Sequence, residues 1–245
     1  MVVGSSFLIL LILIGLMAFL YASVGHGGAS GYLAVLAIFA IQPVLMKQSA
    51  LVLNLTVSLY AAYSFFQKGH FKWRNFWPFA IASIPAAYVG AQWPLADSTY
   101  KKVLGFCLLI SVVRILFQWK EKEQTKQVPI WAGLLVGAII GLLSGMIGIG
   151  GGIILSPVML LFNWATLKET AAVSALFILV NSLSGLLGLK AWVSYDQYDL
   201  IYLVLFATIG GVLGARWGAN KASPFWLKIV LGLVLVVAAG KLVFV

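Results

Sequence analysis

The sequence predicts an all-α, multi-pass membrane protein made of two duplicated halves of inverted topology, with broken or re-entrant helices. Of its 245 residues, 62% are apolar and only 9% are charged, whereas a soluble globular domain carries about 25% charged residues. No formal charge occurs from Met1 to Met46 or from Gln127 to Leu167. Because one membrane span needs about 20 apolar residues, each run holds more than one helix, and we expect about 8 to 10 helical segments in all.

Ten apolar segments follow along the chain, five in each half. They are expected at 4–22, 28–42, 48–66, 76–94, 101–119, 130–147, 152–164, 169–188, 198–217 and 225–245. The second segment of each half is short, and at 1.5 Å per residue it reaches only about 20 Å, against a hydrocarbon core of about 30 Å. These two segments are therefore predicted to cross the membrane incompletely or obliquely.

Internal repetition defines the domain organisation. Four motifs recur in the same order: SVGHGG at 23–28 with SGMIGIGGG at 144–152, KQSALVLN at 47–54 with KETAAVSA at 168–175, VGAQW at 89–93 with LGARW at 213–217, and KKVLG at 101–105 with KIVLG at 228–232. We interpret the chain as one membrane transport domain with a first repeat at 1–118, a polar linker at 119–129 and a second repeat at 130–245.

The basic residues are placed as signals of membrane orientation. The formal net charge is +10, but the basic residues punctuate the ends of apolar segments, which argues against a nucleic-acid partner. Loop 67–75 is basic while its counterpart 190–199 is not, and the bias reverses between 95–102 and 216–228. Opposite bias in corresponding loops predicts inverted repeats, with 67–75, the linker and 216–228 facing the cytoplasm. The expected location is the cell membrane, which is the inner membrane in a Gram-negative source.

Each half carries a glycine-rich break between two apolar segments. The breaks contain Gly25, Gly27 and Gly28 in the first half, and Gly148, Gly150, Gly151 and Gly152 in the second. Unpaired backbone groups in lipid cost several kcal/mol each, so a break needs protein, water or a ligand to satisfy it. The helix that starts after each break has free N–H groups and a positive dipole end, which suits a small anion. Close helix packing is the competing reading, and Gly133, Gly137 and Gly141, at spacing four, are typical of it.

Polar side chains within apolar segments are the other candidates. His26 lies inside the first break, where an imidazole could bind an anion or relay a proton, or donate to a nearby carbonyl as a structural group. Asn54, Ser174 and Asn181 are candidate pathway residues, with interhelical hydrogen bonding as the alternative. Lys47 and Lys168 are expected mainly to snorkel to the interface, with attraction of anions as the alternative.

These motifs resemble those of the sulfite exporter TauE/SafE family of membrane transporters. The resemblance covers nearly the whole chain and is carried by GIGGGIILSP in the second half and by AAVSALF after a short polar turn. It implies a multi-pass permease or exporter of small anions, typically sulfite, sulfonates or related organosulfur anions. The first half departs from the motif, since Ala29 stands where a third glycine would be and Ala34 stands in the place of Pro157.

Missing motifs argue against other classes of function. Cys107 is the only cysteine, which excludes an intramolecular disulfide and a multi-cysteine metal site. The sequence contains no GxxxxGK[ST] or HExxH motif, and we expect no cofactor, no metal and no catalytic residue. Two alternatives are kept: an intramembrane enzyme whose Ser-His dyad would use His26 or His70, and a non-transporting subunit of a membrane complex. The sequence leaves open the choice of anion, the direction of transport, a coupling proton and a homo-oligomeric state.

Overall fold

The described part of the chain is entirely helical where it has regular secondary structure. The computed structural model describes residues 5–23, 25–93, 95–116, 125–190, 192, 197–220 and 236. Within them lie nine helices: α1 (Ser5–Ser23), α2 (Ala29–Ile38), α3 (Pro43–Gln67), α4 (Trp73–Gln92), α5 (Asp97–Leu116), α6 (Ile130–Ile147), α7 (Gly152–Leu161), α8 (Leu167–Leu187) and α9 (Gln197–Asn220). The predicted all-α class is confirmed. The tenth predicted segment, 225–245, lies outside the described residues except for Val236.

Five of these helices are long and apolar enough to cross a membrane. They contain the candidate spans Ser6–Ser23, Pro43–Gln67, Ile130–Ile147, Leu167–Leu187 and Asp199–Trp217. The chain is therefore that of a membrane-embedded protein. By contrast, α2 and α7 have 10 residues each, which is about 15 Å and half of the hydrocarbon core.

The ends of the short helices differ from the sequence expectation in an instructive way. Both were predicted to continue further, to residues 42 and 164. Each instead ends in a turn at a residue with positive φ, Ala40 at 56° and Asn163 at 55°. The following helix, α3, begins at Pro43 rather than at residue 48, because proline is well accommodated at the first position of a helix.

The two halves interlock rather than sitting side by side. Helix α4 of the first half packs along α6 of the second, and α9 of the second packs along α1 of the first. The hydrophobic cores are mixed in the same way. One core joins α1, α2 and α3 to α9, and the other joins α6, α7 and α8 to α4.

Small residues allow the closest of these helix contacts. The Cα of Gly137 faces the backbone carbonyl of Phe79, and the Cα of Gly141 faces that of Ser83, so no Cβ could be accommodated at either glycine. The interpretation that this glycine series serves close helix packing is therefore confirmed. The contacts also show that α4 and α6 run in the same direction, since both residue numbers rise together.

The corresponding third helices, α3 and α8, run in opposite directions. Asn54 of α3 contacts Ser182 of α8, while Leu51, one turn earlier on α3, contacts Gly185, one turn later on α8. Equivalent helices that are antiparallel are the geometry of an inverted repeat. The prediction drawn from loop charges thus agrees with the packing.

Polar contacts bring the segment before α4 and the segment before α8 to one face of the protein. Lys72, just before α4, forms an ion pair with Glu169 in the first turn of α8. Asn75 at the start of α4 donates to the carbonyl of Trp164, in the turn before α8, at 3.2 Å. We call this the α8 N-terminal face; it contains the loop that the charge pattern assigns to the cytoplasm.

Candidate functional site

The two glycine breaks begin and end with glycines of the same left-handed conformation, and they differ between these points, where Gly150 has φ of 70° and its counterpart Gly27 has no positive φ. Gly25 and Gly148, which end α1 and α6, have φ of 76° and 88°, and Gly28 and Gly151, which precede α2 and α7, have φ of 97° and 79°. The members of each pair are 123 residues apart. A left-handed residue directly before a helix is a conformation in which glycine avoids the steric cost of a Cβ, so these positions are fixed by backbone geometry.

Neighbours of the breaks identify the equivalent positions on α3 and α8. A Cβ added at Gly25 would meet Ala171, and one added at Gly148 would meet Lys47. Lys47 is thus the structural equivalent of Ala171, 124 residues away, and not of Lys168 as the aligned motifs had indicated. The motif alignment is therefore wrong here by three residues, nearly one helical turn.

The breaks meet at one point between α3 and α8. A Cβ on Gly27 would lie 2.7 Å from Oδ1 of Asn54 and 2.8 Å from Cγ2 of Ile178, and a Cβ on Gly150 would lie 2.7 Å from Nδ2 of Asn54 and 2.8 Å from the same Cγ2. Asn54 and Ile178 are themselves 124 residues apart, so they are equivalent to each other. The pseudo-twofold relation between the halves therefore passes between these two side chains, which we call the central pair.

Both breaks contain backbone N–H groups that have no acceptor within a helix. Helices α2 and α7 begin directly after the breaks, and the first N–H groups of a helix have no acceptor within it. Within the described residues, no hydrogen bond has the N–H of Gly27, Gly28, Gly150 or Gly151 as its donor. Two positive helix ends thus lie near one point, which favours a bound anion.

Asn54 adds an adaptable amide to this point. It is 0% exposed, its Nδ2 donates to Oγ of Ser182 at 3.1 Å, and its Oδ1 has no partner among the described residues. A half turn of the amide lets the Ser182 hydroxyl donate to Oδ1 and releases Nδ2 as a donor. Asn54 is therefore able to offer either polarity at the meeting point of the breaks.

His26 and Ser174, both predicted as site residues, are joined by a serine that sequence reasoning missed. Ser156 Oγ lies 2.8 Å from Nε2 of His26 and 2.7 Å from Oγ of Ser174, and it donates to the carbonyl of Gly152 at 2.8 Å. Since Ser156 has one hydroxyl hydrogen, all three contacts are satisfied when Nε2–H and the Ser174 hydroxyl donate to Ser156 Oγ. We call these three side chains the His26 cluster. Ser156 directly precedes Pro157 in the glycine motif, where a single serine gives no periodic signal.

Asn181, the remaining predicted side chain, is not brought to the breaks. Its Nδ2 donates to the carbonyl of Phe177, one turn earlier on the same helix, at 2.8 Å. Its Oδ1 is buried and has no partner among the described residues. Helical periodicity explains the difference, since α8 turns Ile178 and Ser182 toward α3 and so places Asn181 on another side.

Lys47 is the second residue that sequence reasoning misjudged. Its side chain is 9% exposed, and Nζ donates to the carbonyl of Ala91 near the end of α4 at 3.0 Å, so it does not snorkel to the interface. Lys168 is exposed, as expected. The early start of α3 places Lys47 one turn inside the helix and beside the second glycine break.

Comparisons with known proteins identify membrane transporters as similar to this chain. A family model described as sulfite exporter TauE/SafE matches residues 10–242. The chain is 38% identical over 233 residues to a probable membrane transporter protein, y4hK, of Sinorhizobium fredii, covering 93% of this chain and 94% of the relative. It is 27% identical over 187 residues to a probable membrane transporter protein of Xylella fastidiosa, covering 70% and 69%. No solved structure matches significantly.

Proposed function

Because the chain belongs to the sulfite exporter TauE/SafE family of membrane transporters, we propose that it moves small anions across the cell membrane. The proposed substrates are sulfite, sulfonates or related organosulfur anions. The proposed binding site lies where the two glycine breaks meet at the central pair.

The convergence of the breaks is the observation that supports this proposal. Gly27 and Gly150 come from opposite halves of the chain and contact the same two side chains. An anion there interacts with two positive helix ends at once, and no Cβ at the glycines prevents its approach to the backbone. A site at the interface of two inverted repeats is the usual arrangement in secondary transporters.

Burial of the breaks bears on how the anion would enter. Residues 25–28 and 148–152 are all buried, and Asn54 and Ile178 fill the space between them. Access from either face therefore requires α3 or α8 to move away from one break. The reciprocal packing of α1 on α9 and α4 on α6 provides two equivalent bodies for such a motion.

Exchange across liposomes tests the proposal. Purified protein is reconstituted with internal sulfite, and uptake of labelled external sulfite is measured against methanesulfonate, acetate, chloride and neutral dimethyl sulfone as competitors. We expect uptake above that of protein-free liposomes, competition by sulfur oxyanions and none by the sulfone. Equal competition by the sulfone, or no uptake of any anion, would contradict the proposed function.

One contact bears on the alternative of an intramembrane enzyme. The 2.8 Å separation of His26 Nε2 and Ser156 Oγ is within the range of a base and its nucleophile. However, the Ser156 hydroxyl donates its hydrogen bond to the Gly152 carbonyl. The imidazole is therefore not the acceptor of this hydroxyl hydrogen, as a catalytic base would be. A serine-reactive fluorophosphonate that labels the wild type but not the Ser156→Ala variant would establish the enzyme instead.

A further inference from the structure

The His26 cluster, which joins one side chain of the first half to two of the second, has no polar counterpart across the pseudo-twofold axis. The backbone equivalences relate positions 123 residues apart in the breaks and short helices, and 124 residues apart in α3 and α8. Applied to the cluster, they give the pairs His26 and Ile149, Ser156 and Leu33, and Ser174 and Ala50. Three polar side chains on one side of the axis are thus matched by three apolar side chains on the other.

The apolar counterparts show that packing does not require the polar cluster. Ile149, Leu33 and Ala50 are 3%, 0% and 0% exposed, so the fold builds the same junction with a dry interior. Polar groups buried in a membrane protein need hydrogen-bond partners, and an ionisable side chain such as His26 is costly there and is by default a sign of function. The cluster is therefore better explained by chemistry on one side of the central pair than by stability.

The hydrogen bonds of the cluster indicate which kind of ligand it suits. Two donors, His26 Nε2–H and the Ser174 hydroxyl, converge on a single oxygen at 2.8 and 2.7 Å. That oxygen, Oγ of Ser156, lies one turn inside α7, whose first turn carries the positive end of the helix dipole. An anion oxygen in place of the Ser156 hydroxyl would receive both donors with similar geometry, and charge-assisted bonds of this kind are stronger than the neutral bonds they replace.

The position of the cluster assigns it to one side of the membrane. Ser174 follows Glu169 on α8 by five residues, about 7.5 Å along the helix axis, and Glu169 lies at the α8 N-terminal face through its pair with Lys72. The equivalent region near the start of α3 contains Lys47 as its buried polar group next to the break. The anion thus meets different partners on the two sides of the central pair.

We propose that the His26 cluster is an oxyanion subsite on the side of the α8 N-terminal face, which selects anions with several acceptor oxygens over halides. This proposal rests on the proposed function, since it takes the central pair as the anion site. His26 and Ser174 each donate to an oxygen of the substrate, and Ser156 acts as their acceptor when no substrate is bound.

Two variants and two controls test the subsite. In the liposome exchange assay, Ser174→Ala and His26→Leu should each raise the half-saturating sulfite concentration by about tenfold or more. They should also reduce the preference for sulfite over chloride as a competitor. Ser174→Thr, which keeps the hydroxyl, should restore most of the preference, and Ala50→Ser, at the equivalent apolar position, should leave both values unchanged.

A purely structural role predicts a different pattern. In that case Ser174→Ala lowers the unfolding temperature of the purified protein while the half-saturating concentration and the order of competitors stay as in the wild type, which would overturn the subsite. Where Ser174→Ala fails to fold, Ser174→Cys, of similar volume and weaker donor strength, provides the same comparison. Absence of anion exchange by the wild type would instead contradict the proposed function.

Discussion

The two glycine breaks begin and end with the same backbone conformation and differ in chemistry. Gly25 and Gly28 have φ within 18° of their counterparts Gly148 and Gly151, and both breaks contact the same central pair. Beside the first break, the chain places the His26 cluster. The equivalent positions beside the second break are apolar, and the buried Lys47 contacts Gly148 there and donates to the Ala91 carbonyl.

This difference separates two requirements on a duplicated fold. The breaks must keep their shape, because unpaired backbone in lipid surroundings is tolerated only in a satisfied environment. The side chains around them are free to diverge, because each lies on its own side of the central pair. A transporter made of two similar halves thereby acquires two unlike faces, and the following experiments break or sharpen that contrast.

The largest effect is expected where the backbone of a break is disturbed. Gly150→Ala adds a Cβ at φ 70°, 2.7 Å from Nδ2 of Asn54 and 2.8 Å from Ile178. Backbone strain and overpacking together should cost about 2 to 5 kcal/mol of stability, and sulfite exchange should fall to the level of protein-free liposomes. Uptake and thermal unfolding in detergent measure the two effects.

Gly69→Ala is the matched control for this substitution. Gly69 has φ of 72°, but nothing lies within 4 Å of an added Cβ, so it carries strain without a clash. We expect a loss of about 1 kcal/mol and retained exchange. Equal losses of exchange in both variants would show that the space around Gly150 has no special role.

A smaller effect is expected at the central pair, where the halves are equivalent in position but not in residue type. Asn54→Ile removes the amide and leaves the Ser182 hydroxyl without this partner, so the half-saturating sulfite concentration should rise by about tenfold. Adding Ile178→Asn moves the amide to the other half, where Ser58 is the equivalent of Ser182. Recovery in the double variant would show that the site needs one amide on either side of the axis. Ile178→Asn by itself, which keeps Asn54, is not expected to lower the half-saturating sulfite concentration below the wild-type value.

The smallest effect concerns the two lysines that the sequence motifs align. Lys47→Met removes a buried cation beside the second break and should raise the half-saturating sulfite concentration about three- to tenfold. Lys168→Met removes an exposed cation and should leave the value unchanged. If both variants show the same increase, the lysines act through the general surface charge rather than through a buried contact.

Much of the scaffold was predictable because it follows from local properties. Runs of apolar residues predicted the spans, the short second segment of each half appeared as α2 and α7, and the glycine spacing predicted close packing of α6, though not its partner α4. The register of α3 against α8 was not predictable, because it depends on how each helix packs against a glycine break, which makes Lys47 equivalent to Ala171 rather than to Lys168. Ser156 was missed because a serine before a proline gives no periodic signal of its own.

The sequence by itself determined that this protein is a helical, duplicated membrane protein with a bare backbone segment in each half. Composition, segment length and glycine content are properties of the linear sequence and do not depend on how the helices pack. Only the tertiary structure decided that Gly27 and Gly150 meet at Asn54 and Ile178, and that His26 reaches Ser156 and Ser174. These contacts join residues more than 100 positions apart, so they depend on the rotation and depth of each helix, which packing between the interlocked halves sets.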